Sequence, residues 1–394
     1  MAVRRFVAQA SPPLPLREGG GGREITGTAP SPQPPPARGG GGSFAPPITV
    51  LKPLHGDEPL LEQALATVCA QDYPAFQIVF GVQDPTDSAI AAINRLRVRF
   101  PQVDIALVVD PTPHGVNRKI ANLMNMLPAA KHDVLAIADS DLHVRPDYLS
   151  DLAATLTQPG CGLATTLYTG LPANRHLPAL LGASQITYGF LPGALLARAM
   201  GRQDCLGATM CLRRETLMRI GGFPALVDHL ADDNVLGQLV RSLGLDVRLA
   251  GTVVATTVPE STWTALFRHE LRWARTIRAL EPSAFAASVL QYPIFWSVIA
   301  VAASGGTPWT FGLFVLAWLG RAFAATGIDR ALAGKVEMLA FPGSVGFLPL
   351  RELLSVAVLL ASYAGKRVDW RGHTMHAAGF TASDAPAVKG LHKR

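Results

Sequence analysis

The sequence predicts an α/β domain built on a mostly parallel, Rossmann-like sheet and followed by membrane helices. Short β-branched runs alternate with amphipathic stretches from Ile48 onward, aspartates close several of the runs, and the longest apolar stretches gather near the carboxyl end. Taken in order, ITVLKP reads as a strand, LLEQALATVCAQ as a helix, FQIVFGVQD as a strand and SAIAAINRLRVRF as a helix. The alternation continues through VDIALVVD, NRKIANLMNML, DVLAIADSD, a helix near Pro146 to Leu156, and GLATTLY. Such a sheet binds ligands at the carboxyl ends of its strands. Asp84 closes the second strand, Asp110 the third, and Asp139 and Asp141 the fourth.

Leu177 to Met200 is apolar but interrupted by Pro178, Pro192 and several glycines, with Gln185 and Thr187 inside it, so a clean span is not expected. It reads as a partly helical segment at a membrane surface or along an acceptor groove, with plain core packing as the alternative. Next come a strand in CLGATMCL, a short helix from Glu215, a turn at Gly221-Gly222, a helix from about Asp233 to Leu243, and a strand at DVRLAG. A basic helix at 264–280 precedes three apolar stretches: Ala284 to Ala303, Trp309 to Ala325 and Val345 to Ser362. The third holds Arg351 and Glu352, adjacent charges that are costly in lipid unless they meet protein, water or a headgroup. Basic residues precede the first stretch, lie between the second and third (Arg330, Lys335) and follow the third (Lys366, Arg367, Arg371). All of them favour the cytoplasmic side, which three full crossings cannot satisfy and a re-entrant or interfacial third segment would. The predicted division is a disordered Pro/Gly-rich segment at 1–47, a catalytic domain at 48–282, membrane segments at 283–365 (two spans and a third that spans or re-enters), and a basic tail at 366–394.

Composition narrows the partners. With 49% hydrophobic and 16% charged residues in 394, the chain fits a soluble core plus a few membrane segments and is too polar for a transporter bundle throughout. A formal charge of +6 suits nucleic acid, an anionic membrane or a phosphate-bearing substrate. No dense Lys/Arg run with interleaved aromatics occurs, which argues against nucleic acid, and Arg268, Arg272, Arg275 and Arg278 instead cluster beside the apolar stretches. Cys69, Cys161, Cys205 and Cys211 form no CxxC pair and read as buried thiols in a reducing compartment. No secretory signal is visible in the first 47 residues.

Three features carry chemistry. Asp139-Ser140-Asp141 follows the buried run LAIA, so a strand delivers two carboxylates to the ligand-binding edge, where hard oxygens suit Mg²⁺ or Mn²⁺ shared with substrate phosphates. A solvated turn is the plain alternative. Asp232-Asp233 opens a helix, where capping is the plain alternative to catalysis. Arg268, His269, Arg272, Trp273 and Arg275 lie on the basic helix, with the arginines at helical spacing, so one face would grip a diphosphate; positive-inside anchoring explains the same arginines.

In this order the motifs resemble those of the ceramide glucosyltransferase family of GT-A glycosyltransferases, which includes bacterial hopanoid-associated enzymes. VQDP supplies Asp84, ADSD supplies Asp139 and Asp141, ADDN supplies Asp233, and HELRW stands for the family's Q/RxxRW with His269, Arg272 and Trp273. HGVNRKIANL is similar to the family's basic loop and puts Asn117, Lys119 and Asn122 near the nucleotide diphosphate; the tail adds Arg351-Glu352 and Trp370-Arg371-Gly372. The resemblance implies a UDP-sugar donor, uridine contact by Asp84, a metal on Asp139 and Asp141, Asp233 as base, inversion at the sugar, and a lipid acceptor, a hopanoid polyol or ceramide. It also implies a multi-pass membrane protein, bacterial inner membrane, with the catalytic domain facing the cytoplasm. Two departures stand out: His269 occupies the Q/R position, and the family's amino-terminal membrane helix is missing, MAVRRF resembling only its juxtamembrane end. A polysaccharide synthase and an inactive, nucleotide-binding membrane scaffold are the competing readings.

Overall fold

The computed structural model describes residues 45–336, 344–365, 367–370 and 373–376. The expected disordered segment and most of the basic tail, Arg371 and Gly372 included, lie outside the described residues.

Eight strands form one sheet. Those from the first half of the domain are β1 (Ile48–Pro53), β2 (Phe76–Val82), β3 (Asp104–Val109), β4 (Val134–Ala138) and β5 (Leu142–His143). The others are β6 (Cys161–Pro172), β7 (Thr209–Arg213) and β8 (Asp246–Val258), and the order across the sheet is β3-β2-β1-β4-β7-β6-β8-β5. Of the seven neighbouring pairs, β1·β2, β2·β3, β1·β4 and β6·β8 are parallel. The pairs β4·β7, β6·β7 and β5·β8 are antiparallel, so the parallel majority resides in the half the sequence pattern read most plainly. β1 and β4 are buried on both faces, which is why they read as continuous apolar runs rather than alternating ones.

Helices α1 (Leu61–Cys69), α2 (Ala89–Arg99) and α4 (Tyr148–Leu156) cover one face, burying Leu65, Ile93 and Leu152 against Val50, Ile78 and Ala136. Helices α3 (Arg118–Met126), α7 (Arg214–Arg219) and α8 (Asp232–Ser242) cover the other through Ile120, Leu217 and Leu236. The chain leaves β1 toward β2 on one side and reaches β4 on the other, so the strand order reverses between β1 and β4. A crevice opens outside their carboxyl ends, as such a switch point requires.

The Leu177–Met200 segment is α5 (Leu177–Gln185), a π-turn at Ile186–Phe190 and α6 (Leu191–Ala199). Pro178 and Pro192 sit in first turns, where a missing N–H is tolerated. Pro192 has no N–H to offer the carbonyl of Tyr188, which the Arg321 guanidinium approaches at 3.5 Å. The sequence alternatives both hold in part: the segment packs on Leu167 and Leu171 of β6, and it also lines the crevice.

Helix α9 (Trp263–Leu280) carries the basic motif and leads to α10 (Pro282–Ala287), α11 (Pro293–Ala303), α12 (Pro308–Leu332) and α13 (Ser344–Ser362). The first apolar stretch bends by 65° at the break before Pro293, as a broken span or a re-entrant loop would. Helix α13, the third stretch, runs unbroken despite Pro349. Among the described residues three helical segments are long and apolar enough to cross a membrane, Leu177–Ala199, Pro308–Leu332 and Val345–Ser362, or up to four if the bent pair counts as one span. Only 11% of the α12 window is buried, and it presents Trp309, Phe311, Leu316, Leu319 and Phe323 outward.

The Arg351-Glu352 pair is resolved as two separate ion pairs. Arg351 makes a bidentate bridge to Glu270 of α9, both contacts 2.7 Å, and Glu352 bonds Arg321 of α12 at 2.7 Å. Glu352 also accepts the N–H groups of Ile294 and Phe295, capping the first turn of α11 beyond the bend. Both charges therefore meet protein, each taking its own partner.

Candidate active site

The crevice is a cleft of about 730 Å³, floored by the ends of β1, β4 and β8 and walled by α3, α8, α9 and the α5–α6 segment. Asp139, Ser140 and Asp141 form the turn after β4 and line it. That turn is held from below. Lys52, at the end of β1 and fully buried, donates from Nζ to the carbonyl of Asp139 at 2.7 Å, and the Asp139 N–H donates to the carbonyl of Ala208. Burial brings the Lys52 ammonium down to about 8 while Asp141 and Asp139 hold it up. Ser140 Oγ donates to Glu58, which reaches the turn from the loop after β1.

The two carboxylates differ. Asp139 is paired with Lys119 of α3 at 2.7 Å. Asp141 accepts from Thr256 Oγ1 of β8 at 2.5 Å, and burial followed by repulsion from Asp139 pushes its carboxyl up to about 6. A raised carboxylate beside a second acid is a place where added positive charge is welcome. Among the described residues no group of three or more His, Cys, Asp or Glu side chains converges as a cation site, and Asp139 and Asp141 alone would leave coordination positions for ligand oxygens or water. The donor set fits a cation shared with phosphates.

Asp233 lies in the first turn of α8 and lines the cleft. No side chain caps this helix from the N-cap position, Ala231, which removes the simplest structural role for the pair of aspartates. Burial first, then the neighbouring Asp232, holds the Asp233 carboxyl well above the usual carboxylate range, although its Oδ1 accepts the N–H of Asn234. Gly207 leaves space for it: a β-carbon there would stand 2.9 Å from Asp233 Oδ2.

The basic loop divides. Lys119 and Asn122 line the cleft, and so does Arg118, which the sequence reading did not single out. Asn122 donates to the carbonyl of Gly81. Asn117 stands behind the wall as the cap of α3, accepting from Ile120 N–H and donating to His229 O and Asp232. Asp84 is exposed at the rim and closes a turn onto Thr86, 2.8 Å to its N–H and 2.7 Å to its hydroxyl, while its neighbour Gln83 lines the cleft. Asp110 is a similar turn residue at the sheet edge, accepting from Thr112 N–H.

On α9, His269, Arg272 and Trp273 line the cleft. The expected arginine face does not form as one surface. Arg268 is exposed, Arg278 donates to the carbonyl of Gly365 and stacks over Tyr363 past the end of α13, and Arg275 packs beside Gly365. Trp273 joins Ile186, Phe190 and Tyr168 in an apolar wall, the last two stacked with centroids 4.5 Å apart. Glu260, just beyond β8, and Glu270 also line the cleft and were missed. Lys52 carried a readable signal, a lysine inside an apolar strand; Glu270 did not, because its partner Arg351 is distant in sequence, nor did Glu260, which lies outside the regular spacing of α9.

Several known proteins are similar to this chain. Ceramide glucosyltransferase 1 of Caenorhabditis elegans is 22% identical over 335 residues, covering 83% of this chain and 71% of the relative. An N-acetylglucosaminyltransferase of Sinorhizobium fredii is 25% identical over 248 residues, covering 60% and 58%. Among solved structures, a mannosyltransferase of Pyrobaculum calidifontis in complex with GDP-Man and Mn²⁺ matches 82% of this chain and 88% of its own at 19% identity, with a TM-score of 0.46. The sequence profile of Glycosyl transferase family 21 matches residues 31–380, nearly the whole chain, and the protein belongs to that family.

Proposed function

We propose that this glycosyltransferase moves a hexose, glucose or N-acetylglucosamine, from a UDP-sugar to a hydroxyl of a membrane lipid, a hopanoid polyol or ceramide, with inversion at the anomeric carbon. One observation carries the reading: the acidic turn, Asp233 and the Arg272-Trp273 pair face a single cleft whose outer wall packs directly on apolar helices of spanning length. Relatives named ceramide glucosyltransferases support a lipid acceptor and a sugar of this class.

In this reading Lys119, Arg118 and Arg272 bind the donor diphosphate and offset the charge that develops on the departing nucleotide. Asp139 and Asp141 hold Mg²⁺ or Mn²⁺, which supplies further positive charge at the leaving diphosphate. Asp233, held protonatable near neutral pH by burial, takes the proton of the acceptor hydroxyl as that oxygen attacks the anomeric carbon from the face opposite the diphosphate. Trp273 and the stacked Tyr168 and Phe190 form an apolar surface against which the acceptor lies. Asp84 assists the uridine from the rim, with Asn122 beneath the pocket and Asn117 setting the loop that carries Lys119. The site faces the cytoplasm of a multi-pass protein, where the arginines of α9 sit on the positive side.

The test is direct. Detergent-purified protein is given Mg²⁺ or Mn²⁺, radiolabelled UDP-glucose or UDP-N-acetylglucosamine, and ceramide or a hopanoid polyol. Labelled lipid from one pair is the expected result. UDP binding with no labelled lipid from any pair would instead identify a nucleotide-binding scaffold.

A further inference from the structure

Beside Arg272, the cleft contains a carboxylate–imidazole couple that the mechanism above does not use. Glu260 Oε1 contacts His269 Nδ1, and the glutamate side chain is only 8% exposed. Its other oxygen, Oε2, is buried and makes no hydrogen bond among the described residues. The ring of His269 meets Trp273 edge-on, centroids 5.1 Å apart with planes at 83°, so its orientation is fixed from two sides. Both residues line the cleft.

Position fixes what such a couple faces. Glu260 stands four residues beyond Thr256, the partner of Asp141, and His269 stands next to Glu270, the partner of Arg351 in α13. The couple thus lies between the acidic turn and the membrane helices, on the same wall as Trp273. Chemistry then fixes what it does. A neutral imidazole that donates a hydrogen bond from Nδ1–H to a buried carboxylate keeps a lone pair at Nε2, and that lone pair accepts a hydrogen bond from a hydroxyl. It is a poor partner for a diphosphate, which offers only acceptors. A Gln or Arg at the same position would have donors to spend on phosphate.

We propose that the Glu260–His269 couple is an acceptor-binding station: His269 Nε2 accepts a hydrogen bond from a hydroxyl of the lipid acceptor and orients it along the Trp273 wall, and Glu260 fixes the tautomer that makes this possible. The inference rests on the lipid-acceptor reading and narrows it to acceptors with a free hydroxyl at this point, the substituent that distinguishes polyol and sphingoid headgroups from plain sterol-like alcohols with one reacting oxygen.

Three readouts on the full-length protein test it: metal-dependent binding of UDP by calorimetry, hydrolysis of the UDP-sugar in the absence of lipid, and transfer as a function of lipid concentration. For His269→Ala the acceptor KM is expected to rise tenfold or more, with UDP binding and hydrolysis within twofold of the unaltered protein. His269→Gln keeps a side-chain acceptor and should recover part of the loss, and Glu260→Gln should raise the acceptor KM without touching UDP binding. Retained UDP binding also shows that each variant is folded. If His269→Ala weakens UDP binding as much as it weakens transfer, the residue serves the donor and the proposal falls. An unchanged acceptor KM in both the His269→Ala and Glu260→Gln proteins overturns it as well. Failure of the unaltered protein to label any lipid removes the lipid-acceptor reading and this inference together, and is thereby told apart from failure of the couple alone.

Discussion

Asp233 and Asp141 are both held above the ordinary carboxylate range by burial, yet with opposite consequences. At Asp141 the surplus proton affinity is relieved when positive charge arrives; at Asp233 it is the affinity a base needs near neutral pH. Asp233→Asn is therefore expected to reduce transfer at least a thousandfold while UDP binding stays within twofold, measured by initial rates and calorimetry on one preparation. The pH profile follows from sign alone. A base works when ionised, so the rate falls as pH drops through the raised Asp233 pKa, and the acidic limb lies near neutrality rather than near that of a free aspartate. Asp232→Asn removes the adjacent like charge and should move that limb to lower pH; a limb that moves up, or stays, would take Asp233 out of the role. Lys52 belongs to the same scale. Its ammonium supports the turn through a backbone carbonyl, so the acidic pair depends on a side chain that no acidic motif includes.

Among the elements, β1, β2 and β4 were legible because each is buried on both faces, and the half-buried edge strand β3 because turn residues bound its apolar run; all four fall where the pattern put them. The sheet's second half was less legible. β7 runs antiparallel to its neighbours, β6 is bulged near Cys161 and Thr165, and the two-residue β5 is too short to give a period. The acidic motifs led to the cleft because each follows or opens an element, and HELRW because His269, Arg272 and Trp273 fall within about one turn inside α9 and line the cleft together. Asn117 and Asp84 were placed by motif alone, and the structure engages them in a cap and a surface turn. The arginine spacing on α9 was real, but which arginine meets the cleft is decided by α13, whose end takes Arg275 and Arg278. Membrane-side elements hinge on Glu352. Its loss would leave the half-buried Arg321 without this carboxylate and the first turn of α11 uncapped, so Glu352→Ala should lower stability by about 3 kcal/mol, read as a fall in melting temperature in detergent. Glu352→Gln keeps an oxygen for the two N–H groups and should lose clearly less. Equal losses would mean that the cap contributes nothing.

At the scale of the whole molecule, the catalytic domain and the apolar helices are one packed body rather than a head on an anchor. The cluster that contains Leu167 and Val253 of the sheet also contains Ala325, Ile328 and Leu332 of α12. Burial on that side is shared with the apolar helix α12, so the domain is not expected to keep its full stability when that helix is removed.

The join at Tyr188 gives this a physical reach. Its hydroxyl bonds Asp329 at 2.7 Å, and it sits in the π-turn whose Ile186 and Phe190 border the sugar-transfer cleft. If helix α12, 25 residues and about 37 Å long, crosses a bilayer, it tilts where the bilayer is thin and straightens where it is thick. Tilt of that helix would then pull on the cleft wall, and the enzyme's turnover would follow hydrophobic thickness. Reconstituted into phosphatidylcholine bilayers of graded acyl length, it should show a maximum in turnover at one thickness, and Tyr188→Phe should flatten that dependence. The chemistry of the membrane would then set the pace of its own glycosylation.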